Sequence, residues 1–129
     1  MTDQVTSIEQ SKRLIEMGVP ADKASMVWLA PMDTNEYHLT TKIGYCCPDE
    51  RDIPAFTVAD LLGIIKPLEI MKVELNPSLE KIGKEEWMFE FGEFTGEEIC
   101  GFARNKSLID LLVDRIEWIV SAGYELNLQ

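Results

Sequence analysis

The segment at residues 107–122 carries the strongest structural signal in the chain, S-L-I-D-L-L-V-D-R-I-E-W-I-V-S-A. Ser107 precedes Asp110 by three residues, the spacing at which a hydroxyl caps a helix and the acidic side chain reaches back to the cap. Gly123 follows the segment and favours a left-handed helix end, with Tyr124 placed to fold back on the last turn. The segment therefore predicts a helix whose two ends are both defined.

The apolar residues of this helix cover an unusually wide arc. At about 100° per residue the arc is roughly 220°, whereas a surface helix needs a stripe of about 100°. We therefore expect cover on more than one side, with a sheet beneath the helix and a second helix or a partner subunit over Leu111 and Trp118. The segment is too short and too charged for a membrane span, which needs about 20 apolar residues.

Length and charge restrict the classes of function. The 129 residues predict a single domain, 1–129, and the 12 Lys and Arg against 23 Asp and Glu give a formal charge of −11. A charge of this sign opposes binding to nucleic acid and to anionic membranes.

The first residues lack the basic and apolar regions of a signal peptide, and three cysteines cannot form a complete disulfide framework. These features predict a cytoplasmic protein with free thiols.

Two further helices and several strands follow from local patterns. Thr6 and Glu9 at capping-box spacing predict a helix at 7–17 that Gly18 ends, and Thr57 with Asp60 predicts one at 58–65 that stops before Pro67. Alternating or β-prone runs predict strands at 26–29, 37–46, 69–75, 86–91 and 97–103, with a short edge strand in the tail at 124–129.

This order of elements predicts an α+β fold. We expect an antiparallel or mixed sheet of about five strands, with about three helices packed mainly on one face and the long C-terminal helix at the centre. The strict alternation of strand and helix that marks a parallel sheet is absent.

Candidate catalytic and metal-binding residues are few. Cys46 and Cys47 are neighbours on a predicted strand and point to opposite faces, and no second Cys or His pair completes a metal site. His38 is the only histidine, on the face of that strand predicted to be exposed. No phosphate-loop, nucleophile-elbow or zinc-protease motif occurs. We predict no catalytic residue, no cofactor and no metal, and the sequence does not favour an enzyme.

The strongest surface feature is an acidic run with interleaved aromatic residues. Within it lie Glu85, Glu86, Glu90, Glu93, Glu97 and Glu98, and no Lys or Arg falls among them. Three interpretations stay open: a solvated strand surface, a site for a hard cation, or an acidic face that binds a basic partner or imitates the phosphate backbone.

Two segments resemble a known group of proteins. I-P-A-F-T-V-A-D-L-L-G-I-I at 53–65 and S-L-I-D-L-L-V-D-R-I-E-W-I-V at 107–120, with the strand around Trp87 between them, resemble small proteins without an established activity. Those proteins are found in Bacteroides-type gut bacteria, their prophages and other mobile elements. The resemblance implies a bacterial cytoplasmic or phage context and a compact α+β domain, and it transfers no functional residues.

Three hypotheses about function result. The first is a non-enzymatic interaction or accessory protein of a mobile element or prophage, with a homodimer through Leu111 and Trp118 as one arrangement. The second is an acidic inhibitor that mimics nucleic acid on a basic protein. The third is a small-molecule binder or enzyme with a pocket near His38, Tyr45 and Cys46.

Overall fold

The computed structural model describes residues 4–31, 36–42, 49–70, 73–92 and 99–128 and confirms the α+β fold. Its helices are α1 (Ile8–Glu16), α2 (Val58–Ile64) and α3 (Leu108–Ser121), and a short 3-10 turn lies at Ala21–Lys23. Its strands are β1 (Met26–Leu29), β2 (His38–Thr41), β3 (Ile53–Ala55), β4 (Leu68–Ile70), β5 (Val73–Ile82), β6 (Glu86–Gly92) and β7 (Ile99–Asn105).

The described strands form two antiparallel sheets, where the sequence predicted one sheet of about five strands. The smaller sheet has the order β2-β1-β3 and the larger has β4-β5-β6-β7. Strand β3, which contains Pro54, was not among the predicted strands. Proline is tolerated there because β3 is an edge strand, which has a neighbour on one side only.

The region 69–83 also differs from its prediction. One strand was predicted at 69–75, but β4 and β5 pair as a hairpin with Ile70 opposite Val73. Strand β5 then continues through Pro77, where the sequence predicted a connection. Pairing with β4 ends at Leu75, so β5 has only β6 beside it at Pro77. A residue without an N–H is acceptable at such a position.

Helix α3 lies at the centre of the main core, as predicted. It packs against β6 and β7 of the larger sheet and against α1 and α2. Its buried residues come from much of its circumference: Ile109, Leu111, Leu112, Val113, Ile116 and Ile119. Each side chain of this kind contributes about 1.5–3 kcal/mol when fully buried. Elements of the same chain therefore account for the wide apolar arc.

The ends of α3 agree with the sequence in all but one detail. The Ser107 hydroxyl accepts from the Asp110 amide at 3.2 Å, and the Tyr124 amide donates to the Ile119 carbonyl at 3.0 Å past Gly123, whose φ is 86°. The Asp110 carboxylate does not reach back to the cap. It accepts from Gln10 Nε2 at 2.7 Å and so connects α3 to α1.

The cap of α1 is Ser7 with Gln10, one residue later than the predicted pair Thr6 and Glu9. Thr6 is buried, and its hydroxyl accepts from the Phe56 amide at 3.0 Å and bonds the Ser11 hydroxyl at 2.7 Å. The Thr6 side chain is therefore used in a contact between distant segments. The Thr57–Asp60 capping box of α2 is confirmed.

The described tail, 124–128, is not a strand, contrary to the prediction. Tyr124, Leu126 and Leu128 pack against the main core, and the Asn127 amide donates to the Ile64 carbonyl at 2.8 Å. The alternation of apolar and polar residues is real, but the tail covers the core and the end of α2 instead of extending a sheet.

A β-bulge in β7 makes room for Trp118. Phe89 pairs with Ala103 whereas Phe91 pairs with Cys100, so β7 has one extra residue there. Gly101 lies in the bulge with φ of 66°, and a Cβ at this position would lie 2.9 Å from Trp118 Cζ3 and 3.0 Å from Phe91 Cδ2. The bulge therefore requires glycine both for its backbone conformation and for the space above it.

Comparison of Gly101→Ala with Gly83→Ala should separate the cost of the left-handed backbone from the cost of the missing space above the bulge. Gly83 has a similar φ of 64°, but no atom lies within 4 Å of its Cβ position. Both variants should lose about 1–2 kcal/mol of unfolding free energy from left-handed strain, and Gly101→Ala should lose a further ~1–3 kcal/mol from overpacking. Urea denaturation measures both losses, and equal losses would show that Trp118 is not packed on Gly101.

Candidate functional site

The larger sheet has one face in the core and one face toward solvent. Side chains alternate along a strand, and Leu75, Phe89 and Phe91 on one face are at most 3% exposed. The opposite face, which we call the outer face, is exposed or half-buried in the described part of the chain. It carries Glu69, Glu74, Ser78, Glu80, Glu86, Met88, Glu90, Phe102 and Arg104.

The outer face is predominantly acidic. Arg104 is bound by Glu86 in a two-bond pair, with Nε 2.9 Å from Oε1 and Nη2 3.1 Å from Oε2. Glu69 and Glu74 lie directly opposite each other on β4 and β5. Like charges in that position repel, so the free protein holds them at some cost in stability. A cation from another molecule would relieve this repulsion.

Apolar side chains accompany the carboxylates on the outer face. Phe102 is 50% exposed, and Met88 is half-buried opposite Arg104 and Glu80 on the two neighbouring strands. A large exposed aromatic ring among charged groups is a typical anchor of a protein interface. The outer face therefore combines electrostatic and apolar groups on one rigid sheet.

The structure places the predicted acidic residues in different surroundings. Glu86 and Glu90 are in β6 on the outer face, and Glu85 is exposed in the turn before β6. Glu93, Glu97 and Glu98 lie outside the described residues. The sequence interpretation missed Arg104, because the strand pairing that brings it beside Glu86 spans 18 positions. Treating 86–91 and 97–103 as a hairpin would have suggested such a partner.

Leu111 and Trp118 were predicted as residues of an interaction surface. Leu111 is 1% exposed in the main core and is not a surface residue. Trp118 is half-buried, with its ring centroid 6.1 Å from Phe91 and 5.9 Å from Tyr124. Arg115 lies over the Trp118 ring at 5.7 Å and donates to the Gly101 carbonyl at 3.0 Å. The contacts described for Leu111 and Trp118 lie within the chain.

The pocket proposed around His38 cannot be assembled from the described residues. His38 is exposed on β2, opposite Leu29, whereas Tyr45, Cys46 and Cys47 lie outside the described part. Where the structure describes the chain, no group of three or more His, Cys, Asp or Glu side chains is arranged to hold a metal ion. The helices within those same ranges are also too short or too polar for any to cross a membrane.

Two described residues with shifted pKa values, Asp49 and Arg51, lie in a surface turn before β3. Side-chain and backbone hydrogen bonds from Arg51 lower the pKa of Asp49 to about 2, and Asp49 in turn raises the pKa of Arg51. Arg51 Nη2 lies 2.9 Å from Asp49 Oδ2. The two groups satisfy each other at the surface, and the neighbouring Asp52 carboxylate accepts from the Ala30 amide at 2.8 Å. The shift therefore reflects a turn that fixes the start of β3.

Removing the guanidinium should raise the pKa of Asp49 from about 2 toward its ordinary value of about 3.9. Because the folded pKa is depressed, the ionised carboxylate stabilises the fold above pH about 4, and that stability is lost as pH falls toward the folded value. NMR titration of the Asp49 carboxyl carbon in the wild type and in Arg51→Ala measures the shift. The same midpoint in both proteins would contradict the pairing.

Truncation of Leu111 should destabilise the chain as a core substitution and not as an interface substitution. Leu111→Ala should lower the unfolding free energy by about 2–5 kcal/mol, by the same amount at all protein concentrations. If Leu111 lay between two subunits, the loss would depend on concentration. Urea denaturation at two concentrations a hundredfold apart, with light scattering on the wild type, makes the comparison.

Comparison of the chain with protein-family models, with curated protein sequences and with solved structures gave no match. Any assignment of function therefore depends on the geometry and charge of the described residues.

Proposed function

We propose that the protein is a non-enzymatic binding domain whose outer face docks onto a basic surface of a partner protein. The observation that carries this proposal is the combination of carboxylates on β4, β5 and β6 with the exposed Phe102 ring on β7, all on one solvent-facing sheet surface. A sheet holds these groups in fixed relative positions, so little ordering is required on binding.

Electrostatic attraction would set the rate and the salt dependence of association. The formal charge of −11 attracts a basic partner over distances comparable to the Debye length, about 8–10 Å at physiological salt. Close to the partner, a Lys or Arg placed between Glu69 and Glu74 would offset their repulsion. Phe102 and Met88 would contribute apolar contact area, which salt does not weaken.

Basic protein surfaces often bind nucleic acid. This supports a version of the proposal in which the protein is an acidic inhibitor that mimics nucleic acid. The outer face would then occupy a site that otherwise binds phosphates. Competition with a short duplex for the captured partner distinguishes this version from docking at another basic surface. The setting in a mobile element or prophage, in the cytoplasm, is proposed from the sequence resemblance.

Charge reversal on the outer face tests the proposal. The triple variant Glu74→Lys, Glu80→Lys and Glu90→Lys changes the outer face and leaves the Glu86–Arg104 pair intact. The matched control is Glu16→Lys, Asp22→Lys and Glu50→Lys, which changes the formal charge equally at exposed positions away from that face. Each protein is used as bait in nuclease-treated lysate at low and high salt, and captured proteins are quantified by mass spectrometry.

The proposal expects a stoichiometric basic protein that the wild type and the control retain and the outer-face variant loses by at least about tenfold, which corresponds to 1.4 kcal/mol. High salt should also release it. Retention by all three baits, equal loss from both variants, or no captured protein would contradict docking through the outer face. Circular dichroism and unfolding midpoints confirm that the variants remain folded.

A further inference from the structure

A cleft on the opposite side of β6 has a different chemical character from the outer face. Its wider part has a volume of 630 Å³ and is lined by Trp87, Lys106 and Leu108. Across Gln4 and Val58 it continues into a second depression of 370 Å³. We call the two parts together the Trp87 cleft. Its size is in the range of pockets that hold small organic molecules, about 300–1,000 Å³.

The second depression is apolar. Its lining includes Val5, Met26 and Leu62, and Leu62 is 39% exposed although its side chain is large and hydrophobic. Trp87 adds an aromatic wall at the wider end. An apolar trough with an exposed leucine gains free energy when an aliphatic or aromatic chain removes it from water.

The polar groups of the Trp87 cleft favour an anion. No carboxylate lines either part among the described residues, although the chain has 23 Asp and Glu. Lys106 lines the wider part, and Lys81 Nζ is 5.6 Å from the Trp87 ring centroid. Within the described residues, no ion pair or hydrogen bond involves the side chain of Lys106. Its ammonium is therefore available to a ligand.

Three described carboxylates that are close in sequence to this lining are engaged elsewhere, and one of them, Glu86, pairs with Arg104 on the outer face. Asp60, in the first turn of α2, accepts from the Ser25 amide at 2.8 Å and from the Thr57 amide at 2.9 Å. Asp110, in the first turn of α3, accepts from Gln10 at 2.7 Å. These three carboxylates are bonded to other groups, and none of them pairs with Lys106.

We propose that the Trp87 cleft binds a small apolar molecule with one carboxylate, of the medium-chain fatty acid class. The carboxylate lies at Lys106, and the chain extends past Val58 along Met26 and Leu62. This site is separate from the outer face and does not depend on the proposed docking function. The charge of Lys106 favours such a molecule over a neutral lipid. The apolar trough favours it over a small polar anion.

Titration with decanoate below its micelle-forming concentration tests this proposal, with decanol as the neutral probe of equal chain length and octanoate as the shorter acid. Calorimetry gives the dissociation constants, and the indole N–H resonance of Trp87, assigned with Trp87→Phe, reports the location. The variants are Lys106→Met, which keeps an unbranched side chain without the charge, and Lys12→Met, the matched control at an exposed position of α1. Leu62→Glu places a carboxylate in the trough.

The wild type should bind decanoate with a shift of the Trp87 resonance and more tightly than octanoate, since each buried methylene contributes about fourfold in affinity. Lys106→Met should weaken the binding of decanoate about fivefold, as expected for loss of one charged contact. The affinity for decanol should be unchanged, because decanol carries no charge. The Lys12→Met variant should bind both ligands as the wild type does. Leu62→Glu should weaken the binding of both decanoate and decanol. Absence of binding at millimolar decanoate, shifts confined to other residues, or equal effects of the two lysine variants would overturn the proposal.

Discussion

Burial of α3 on more than one side is the constraint on which the rest of the structure depends. The larger sheet packs against one side of the helix, and α1, α2 and the C-terminal tail complete the cover of the main core. The cover is specific in shape as well as apolar. Trp118 fits against the sheet because Gly101 has no side chain there, and Arg115 ties the helix to the same bulge through the Gly101 carbonyl. Because the helices occupy the inner side of the larger sheet, its other side is left to solvent.

This arrangement gives the two sides of β6 different chemical roles. Adjacent residues alternate between the sides, so Glu86, Met88 and Glu90 belong to the outer face whereas Trp87 lines the cleft. The outer face carries most of the carboxylates of the larger sheet, and Arg104, which lies beside them, is paired with Glu86. Among the described residues, the cleft is lined by a lysine and by no carboxylate. In a chain of strongly negative formal charge, the proposed docking surface and the proposed site for an apolar anion thus lie on opposite sides of β6.

The sequence predicted those features that depend on neighbouring residues. The cap at Ser107, the end at Gly123 and the capping box of Thr57 are local hydrogen-bonding patterns, and the structure confirms them. Features set by tertiary pairing were missed. Pro54 and Pro77 are compatible with strands only because a neighbour is absent on one side, which a sequence does not show. Thr6 fitted a helix cap but contacts Phe56, 50 positions away, and the Glu86–Arg104 pair depends on strand register. The candidate site was therefore predictable as an acidic segment but not as a face.

Native-state hydrogen exchange tests the central claim most directly, because it measures the free energy needed to expose each amide of α3. If α3 is the covered centre of one cooperative core, the amides of Leu112, Ile116 and Ile119 exchange only through global unfolding. Their exchange free energies then equal that of the slowest β6 amides and the value from urea denaturation, and they do not vary with protein concentration. Exchange of these α3 amides through a local opening of clearly lower free energy than β6, or protection that rises with concentration, would contradict the account.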